Sequence, residues 1–263
     1  MCDISFLIIT NREYELWSGR TVECIHKSIK DYPIKYTYEI LICSPEEISD
    51  KNVLWVKDEF DGLGHGVAAN NKMFQYSQGK YIITINDDHM FPDPSLEPTI
   101  YPDQKPLKAI EFLQSDVFQN RRFKVTSIGA GWNVSVYGST CIPSLAWPPP
   151  YPLSEELKDP KYTQVPHRHL ILGYPVYERA TVIKELRGFL FNPSFKHRYA
   201  DNWLSFFIGE NDETIQVCVG SSLQGFGPNQ VSGETTENTV EQDYHTFTRL
   251  VRNFVSGDNL EYV

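Results

Sequence analysis

Apolar positions in the first ninety residues come in short, dense runs separated by polar stretches. Ile4-Ser5-Phe6-Leu7-Ile8-Ile9 is β-rich and stops at Thr10-Asn11-Arg12-Glu13. A run of that length with little alternation predicts a strand covered on both faces, as in a parallel sheet. Over 18–30 the spacing changes, and Val22, Ile25, His26 and Ile29 fall on one face of a predicted helix. Further strands are predicted over 38–43, ended by Ser44-Pro45, over 53–56 and over 81–85. A glycine-containing loop over 62–66 precedes a helix predicted over 67–78 with Gly79 as its C-cap. Strand, helix, strand, strand, helix, strand predicts βα units and a mostly parallel, twisted sheet. Ligands of such sheets bind at the carboxyl ends of the strands. The polar clusters 10–13, Cys43-Ser44 and 86–89 fall there.

The middle of the chain is less regular. Five prolines over 92–106 and seven over 143–166 predict long ordered surface loops, an expected acceptor-side lid. Between and after them the pattern predicts a helix over 107–119, strands over 123–128 and 132–137, and helices over 177–186 and from 200 to 207. The stretch 224–241 is polar and glycine-containing, and a closing helix is predicted over 243–254.

Composition narrows the class. The 263 residues are 41% hydrophobic and 22% charged, which describes a globular protein with a sizeable core. Twenty-four Lys and Arg against 34 Asp and Glu leave a net charge of −10, which speaks against a nucleic-acid or anionic-membrane binder. No apolar run reaches membrane-spanning length. The five cysteines (2, 24, 43, 141 and 218) are scattered with no CxxC pair, the pattern of reduced thiols in a cytoplasmic protein. The N-terminus lacks the basic region of a signal peptide.

Asn86-Asp87-Asp88-His89 carries the candidate chemistry. Carboxylates at a strand's end fit two readings. One is a polar turn. The other is an oxygen site for Mg²⁺ or Mn²⁺, completed by phosphate oxygens and water. An ion there would stabilise charge on a departing nucleoside diphosphate. Aromatics are dense over 132–177, and sugar rings present C–H faces that stack on aromatic rings. Trp147 and Trp203 are the foremost candidates for an acceptor surface, core burial being the alternative for each.

The segments 4–11, 64–70, 81–89 and 186–204 together resemble the family 2 glycosyltransferases, which have the GT-A fold. The likeness rests on a first strand ending in a polar turn, on Gly64, Gly66, Ala69 and Asn70 before a helix, and on a strand entering a DxD-type motif at Asn86-Asp87-Asp88. It also rests on Arg187-Gly188-Phe189 followed by Tyr199-Ala200-Asp201-Asn202-Trp203. It covers 3–94 well and 172–208 moderately. The resemblance implies a single GT-A domain: a Rossmann-like, mostly parallel central sheet flanked by helices. Residues 1–94 would be the nucleotide-sugar half, 95–225 the acceptor and catalytic-base half, and 226–263 a segment packing back on the domain.

The implied activity is metal-assisted, inverting transfer of one sugar from a nucleotide-sugar, a UDP-sugar foremost, to a hydroxyl of a glycan or small-molecule acceptor. Thr10, Asn11, Glu13, Ser44, Asn70, Lys72, Asn86 and Asp87 would face the donor, with Lys72 near its phosphates. Asp88 would be the main ligand of Mn²⁺ or Mg²⁺, with His245 closing the metal site from the C-terminal segment. Asp201 would be the base that takes the acceptor's proton, its local alternative being a helix N-cap. Three positions depart from the family: Asn86 replaces a carboxylate, Cys43-Ser44 ends the second strand where an Asp that helps hold the base is frequent, and Ala200 stands where Glu is frequent. The Gln-x-x-Arg-Trp motif of processive members does not follow Asp201, which favours single addition. The rival readings are a nucleotidyltransferase, which should carry a Gly/Arg-rich loop with lysine after the first strand, and a non-catalytic sugar- or nucleotide-binding protein.

Overall fold

The first strand sets the frame. In the computed structural model β1 (Ile4–Ile9) lies between β2 (Tyr38–Ser44) and β4 (Tyr81–Asn86), parallel to both, with Ile9 level with Cys43 on one side and Asn86 on the other. The structure describes residues 2–59, 66–87, 89–90, 107–130, 172–212, 222–225, 237–256 and 262–263. β3 (Leu54–Lys57) extends the parallel set beyond β2. Past β4 the direction changes: β8 (Pro175–Glu178) pairs antiparallel with both β4 and β6 (Val125–Ser127). The six-stranded order is β3-β2-β1-β4-β8-β6. A small second sheet joins β5 (His89–Met90), β9 (Ser222–Gly225) and β7 (Gly129–Ala130) in the order β5-β9-β7.

Period-two alternation explains how β1, β2 and β4 are buried on both faces. Phe6, Ile8, Ile40, Ile42, Ile83 and Ile85 face one core, packed by Val22, Ile25 and Ile29 of α1 (Ser18–Asp31) and by Ile110 and Leu113 of α3 (Lys108–Gln114). Leu7, Leu41, Cys43 and Ile82 face the other. There they meet Met73 and Phe74 of α2 (Gly66–Tyr76), Val182 of α5 (Arg179–Lys184), Leu204 and Phe207 of α6 (Ala200–Asp212) and Val251 of α7 (Glu237–Val255). Burying each of these aliphatic side chains contributes about 1.5–3 kcal/mol, so the sheet is the main source of cohesion.

The structure redraws several predicted boundaries. Tyr177 begins no helix; it lies in β8 opposite Ile82, and α5 starts two residues later. A short amphipathic segment cannot be told from a strand when a sheet edge waits for it. The helix expected over 107–119 is two, α3 and α4 (Asp116–Gln119), separated by Ser115 in an extended conformation. α7 begins at Glu237 instead of 243, its first residues Glu237-Asn238-Thr239 being polar and so carrying no apolar periodicity to announce a helix. Gly79 is no left-handed cap. A Cβ there would lie 2.4 Å from the backbone nitrogen of Ser5, so glycine is required by close approach to β1. The strand expected over 132–137 lies outside the described residues.

Candidate functional site

The strand order reverses direction between β1 and β4: from β1 the chain builds outward to β2 and β3, then returns to the other side of β1. A crevice at the carboxyl ends follows from that reversal, and the sequence places Thr10 and Asp87 directly after these two strands. Their side chains meet. Thr10 Oγ1 donates to Oδ2 of Asp87 at 2.7 Å, and Nη2 of Arg12 lies 2.9 Å from Oδ1. The Asp87 carbonyl accepts from Thr21 Oγ1 of α1 at 2.9 Å. Asp87 is 3% exposed, so its charge is neutralised inside the protein. The Arg12 guanidinium also lies over the Trp17 ring at 4.1 Å.

The remaining donor-side candidates divide. Asn11 and Glu13 are exposed in the turn after β1, and Asn86 is exposed at the end of β4. Ser44 is buried, its hydroxyl donating to the Glu46 carbonyl at 2.5 Å and accepting from the Trp55 indole at 3.1 Å. Asn70 Nδ2 donates to the Gly66 carbonyl at 3.0 Å, while its Oδ1 is buried with no hydrogen-bond partner among the described residues. A buried carbonyl oxygen of this kind calls for a donor. Lys72 is engaged elsewhere, at 2.8 Å from both Glu59 Oε2 and the Lys57 carbonyl. Those partners hold it at the β3 side of α2, and the hydrogen bond to Glu59 raises its pKa.

Asp88 and Trp147 lie outside the described residues. Trp203 is a correction. Its ring is wholly buried, its indole N–H donates to the Tyr262 carbonyl at 3.2 Å, and it stacks with Phe206, so it is core and offers no surface to an acceptor. Its apolar neighbours win because the helix face it occupies turns inward. His245 is exposed on α7, 3.7 Å from Glu241 one turn back. Among the described residues no group of three His, Cys, Asp or Glu side chains is arranged to hold a metal.

Asp201 lies in the first turn of α6. Its Oδ1 accepts from the Asn202 N–H at 2.9 Å. Burial raises its carboxyl above the ordinary 3.8, outweighing the backbone hydrogen bonds and the pull of Arg198. A carboxylate whose pKa is raised is a stronger proton acceptor than an ordinary aspartate. The residue before the helix, Tyr199, holds a left-handed φ of 60°, a strained turn for a bulky side chain.

The chain leading to Asp201 is drawn toward the crevice. The Lys196 carbonyl accepts from the Val67 N–H at 3.1 Å, and Asn71 exchanges two hydrogen bonds with the backbone of Phe191 at 2.8 and 3.1 Å. The His197 ring packs on Gly66 so closely that an added Cβ would sit 2.8 Å from its Nδ1; Ile9, at the end of β1, borders the same spot. Burial first, and Arg198 second, push the His197 imidazole down to about 4, so it is neutral at physiological pH. Thr21 and His197 have no counterpart among the residues the sequence singles out. Each is a single polar residue whose partner is far along the chain, so no local pattern announces it.

No protein-family model matches the chain, and no curated protein matches it in sequence. Solved structures do match. S. aureus TarS residues 1–349 in complex with UDP superposes with a TM-score of 0.54 at 13% identity, over 99% of this chain and 67% of that one. The same TarS fragment in complex with UDP-GlcNAc gives 0.53 at 12% identity, over 99% and 68%. Against S. aureus TarS in a longer form the score is 0.50 at 10% identity, over 99% of this chain and 41% of that one. The fold is GT-A. The GT-A assignment fits the reversal of strand order at β1 and β4 and the antiparallel insertion of β8. Among the described residues no helix of this GT-A domain is long and apolar enough to cross a membrane.

Proposed function

We propose that this GT-A domain is a nucleotide-sugar-dependent glycosyltransferase in which Asp201 is the catalytic base. The observation that carries the reading is the Asp201 carboxyl, raised by burial, at the start of a helix whose leading loop is tied to the N-terminal end of α2. The donor half comprises 1–94 and the acceptor half 95–225. The donor lies at the carboxyl ends of β1 and β4, against the turn carrying Asn11 and Glu13. Asn70 supports this placement, since its buried Oδ1 would gain a donor from a ribose or sugar hydroxyl. The UDP and UDP-GlcNAc held by the TarS structures favour a uridine diphosphate sugar, by analogy of fold.

In the transfer, Asp201 accepts the proton of the acceptor hydroxyl as that oxygen attacks the anomeric carbon. The bond to the diphosphate oxygen breaks on the opposite face, and the configuration inverts. Thr10 and Arg12 fix Asp87, and so hold the end of β4 from which Asn86 and Asp88 extend. A Mn²⁺ or Mg²⁺ ion held by Asp88 would offset charge on the departing diphosphate.

The test is thermal unfolding against nucleotides and nucleotide-sugars, with and without Mn²⁺, joined to an assay of released nucleoside diphosphate. A metal-dependent rise in Tm with one nucleoside diphosphate, absent in Asp88→Ala, is expected. Turnover that disappears in Asp201→Asn while that rise persists completes the expectation. No rise with any nucleotide would overturn the reading in favour of a non-catalytic carbohydrate-binding protein.

A further inference from the structure

The Asp243 carboxylate is 1% exposed, and it accepts three consecutive backbone N–H groups. Oδ1 takes the N–H of Lys196 at 2.8 Å; Oδ2 takes those of His197 at 2.8 Å and Arg198 at 2.7 Å. Three successive amides converging on one point form a concavity for an anion, and here the anion comes from the second turn of α7. Directly after this stretch Tyr199 turns through its left-handed φ, and its carbonyl accepts the Trp203 N–H at 2.8 Å, opening α6. α7 also grips the Tyr199 ring, stacked with Phe247 at 5.8 Å between centroids and tilted against Tyr244 at 5.8 Å. Asp201 follows two residues on.

We propose that Asp243 is the positioning residue for Asp201, its carboxylate shaping the backbone that carries the base into the crevice. This rests on the reading of Asp201 as the base. The geometry gives Asp243 no other assignment. An aspartate in the interior of a helix contributes nothing to helix formation, and its oxygens are directed at amides 45 to 47 residues away. Removing it would leave three neighbouring amides without their acceptor. Charge-assisted bonds of this kind are stronger and better aligned than neutral ones, which is what a turn with a left-handed tyrosine requires.

The experiment compares Asp243→Ala and Asp243→Asn in the wild-type and Asp201→Asn backgrounds, with rates normalised to folded protein. Asn retains shape and one acceptor oxygen, so it also serves if the alanine variant does not fold. Asp243→Ala is expected to lower kcat by roughly 10²-fold, the effect of misplacing a reacting group by about 1 Å. Its donor KM should stay within about threefold of wild type, and Asp243→Asn should recover part of the loss. Amide exchange should accelerate at 196–198 and stay unchanged in β1 and β4. In the Asp201→Asn background the same substitution should add almost nothing, because a residue that acts through Asp201 has nothing left to position. An equal further loss in that background, or wild-type kcat in Asp243→Ala, would overturn the inference. Wild-type turnover in Asp201→Asn is a different failure: it would overturn the reading of the base itself.

Discussion

Thr10 and Asp87, 77 residues apart, meet at 2.7 Å, and the Arg12 guanidinium takes the other oxygen of the same carboxylate at 2.9 Å. The contact ties the turn after β1 to the turn after β4 at the reversal point of the sheet. It also shows what holds the middle of Asn86-Asp87-Asp88: both oxygens of the Asp87 carboxylate are engaged, and Asn86 before it is exposed.

Asp87→Ala should therefore cost stability before it costs chemistry. It removes the acceptor of a buried hydroxyl and the counter-charge of a guanidinium whose side chain is only 19% exposed. A loss of about 2–4 kcal/mol is expected in urea unfolding. Asp87→Asn, which can still accept from Thr10, should lose less. A change below about 0.5 kcal/mol, the level of an ordinary surface substitution, would show the network to be unimportant.

Asp201 should destabilise the protein at neutral pH. Its folded carboxyl lies above the ordinary 3.8 because of burial, so between the two values the native state holds more protons than the unfolded chain. Stability then falls as pH rises through that window. Asp201→Asn should raise the urea midpoint at pH 7, and the gain should shrink as the pH is lowered through the window. Turnover should fall by roughly 10²–10⁴ in the same variant. A variant less stable than wild type at pH 7 would contradict the burial argument.

His197 works in the opposite sense. Its imidazole is near 4 in the fold and 6.5 when unperturbed, so the unfolded chain binds the extra proton. The stability from keeping it neutral is full above 6.5 and is lost as pH falls toward 4, by about 3 kcal/mol in all. His197→Gln should flatten the loss of stability between pH 7 and pH 4.5. Parallel curves for the two proteins would refute the assignment.

Gly66→Ala should disturb the donor side without unfolding the sheet. The new methyl would sit 2.8 Å from the His197 ring, so the ring, α2 or the loop before α6 must move. Nucleotide affinity, measured by calorimetry, should weaken by roughly tenfold, about 1.4 kcal/mol, while the unfolding midpoint moves little. Unchanged affinity would mean that the α2 terminus is remote from the ligand.

Tyr262 should be a stability hot spot. Its hydroxyl and that of Tyr177 both donate to the Leu190 carbonyl, at 2.8 and 3.0 Å, and its own carbonyl accepts from Trp203 and Asn192. Tyr262→Phe should cost about 1 kcal/mol and Tyr262→Ala about 3–5 kcal/mol, read from chemical denaturation. Equal costs would mean that packing contributes nothing there.

The sequence by itself determined the parallel strands, their burial on both faces and the carboxyl-end location of the polar turns, since those follow from short unbroken apolar runs and the polar residues after them, which any local window contains. Asp201 is singled out by the resemblance of its segment to a family motif, its place at a helix start alone allowing an N-cap as well. The sequence did not determine which polar residue faces a ligand and which faces a neighbour. Asp87 is bound by Thr10 and Arg12, and Lys72 by Glu59, contacts that no local window shows, and Trp203 reads as an acceptor platform until Tyr262 and Phe206 enclose it. Asp243 carried no signal at all, because three amides 45 to 47 residues away give it meaning. A hydrogen bond is directional and short-ranged, so only the folded chain decides where each polar group is satisfied.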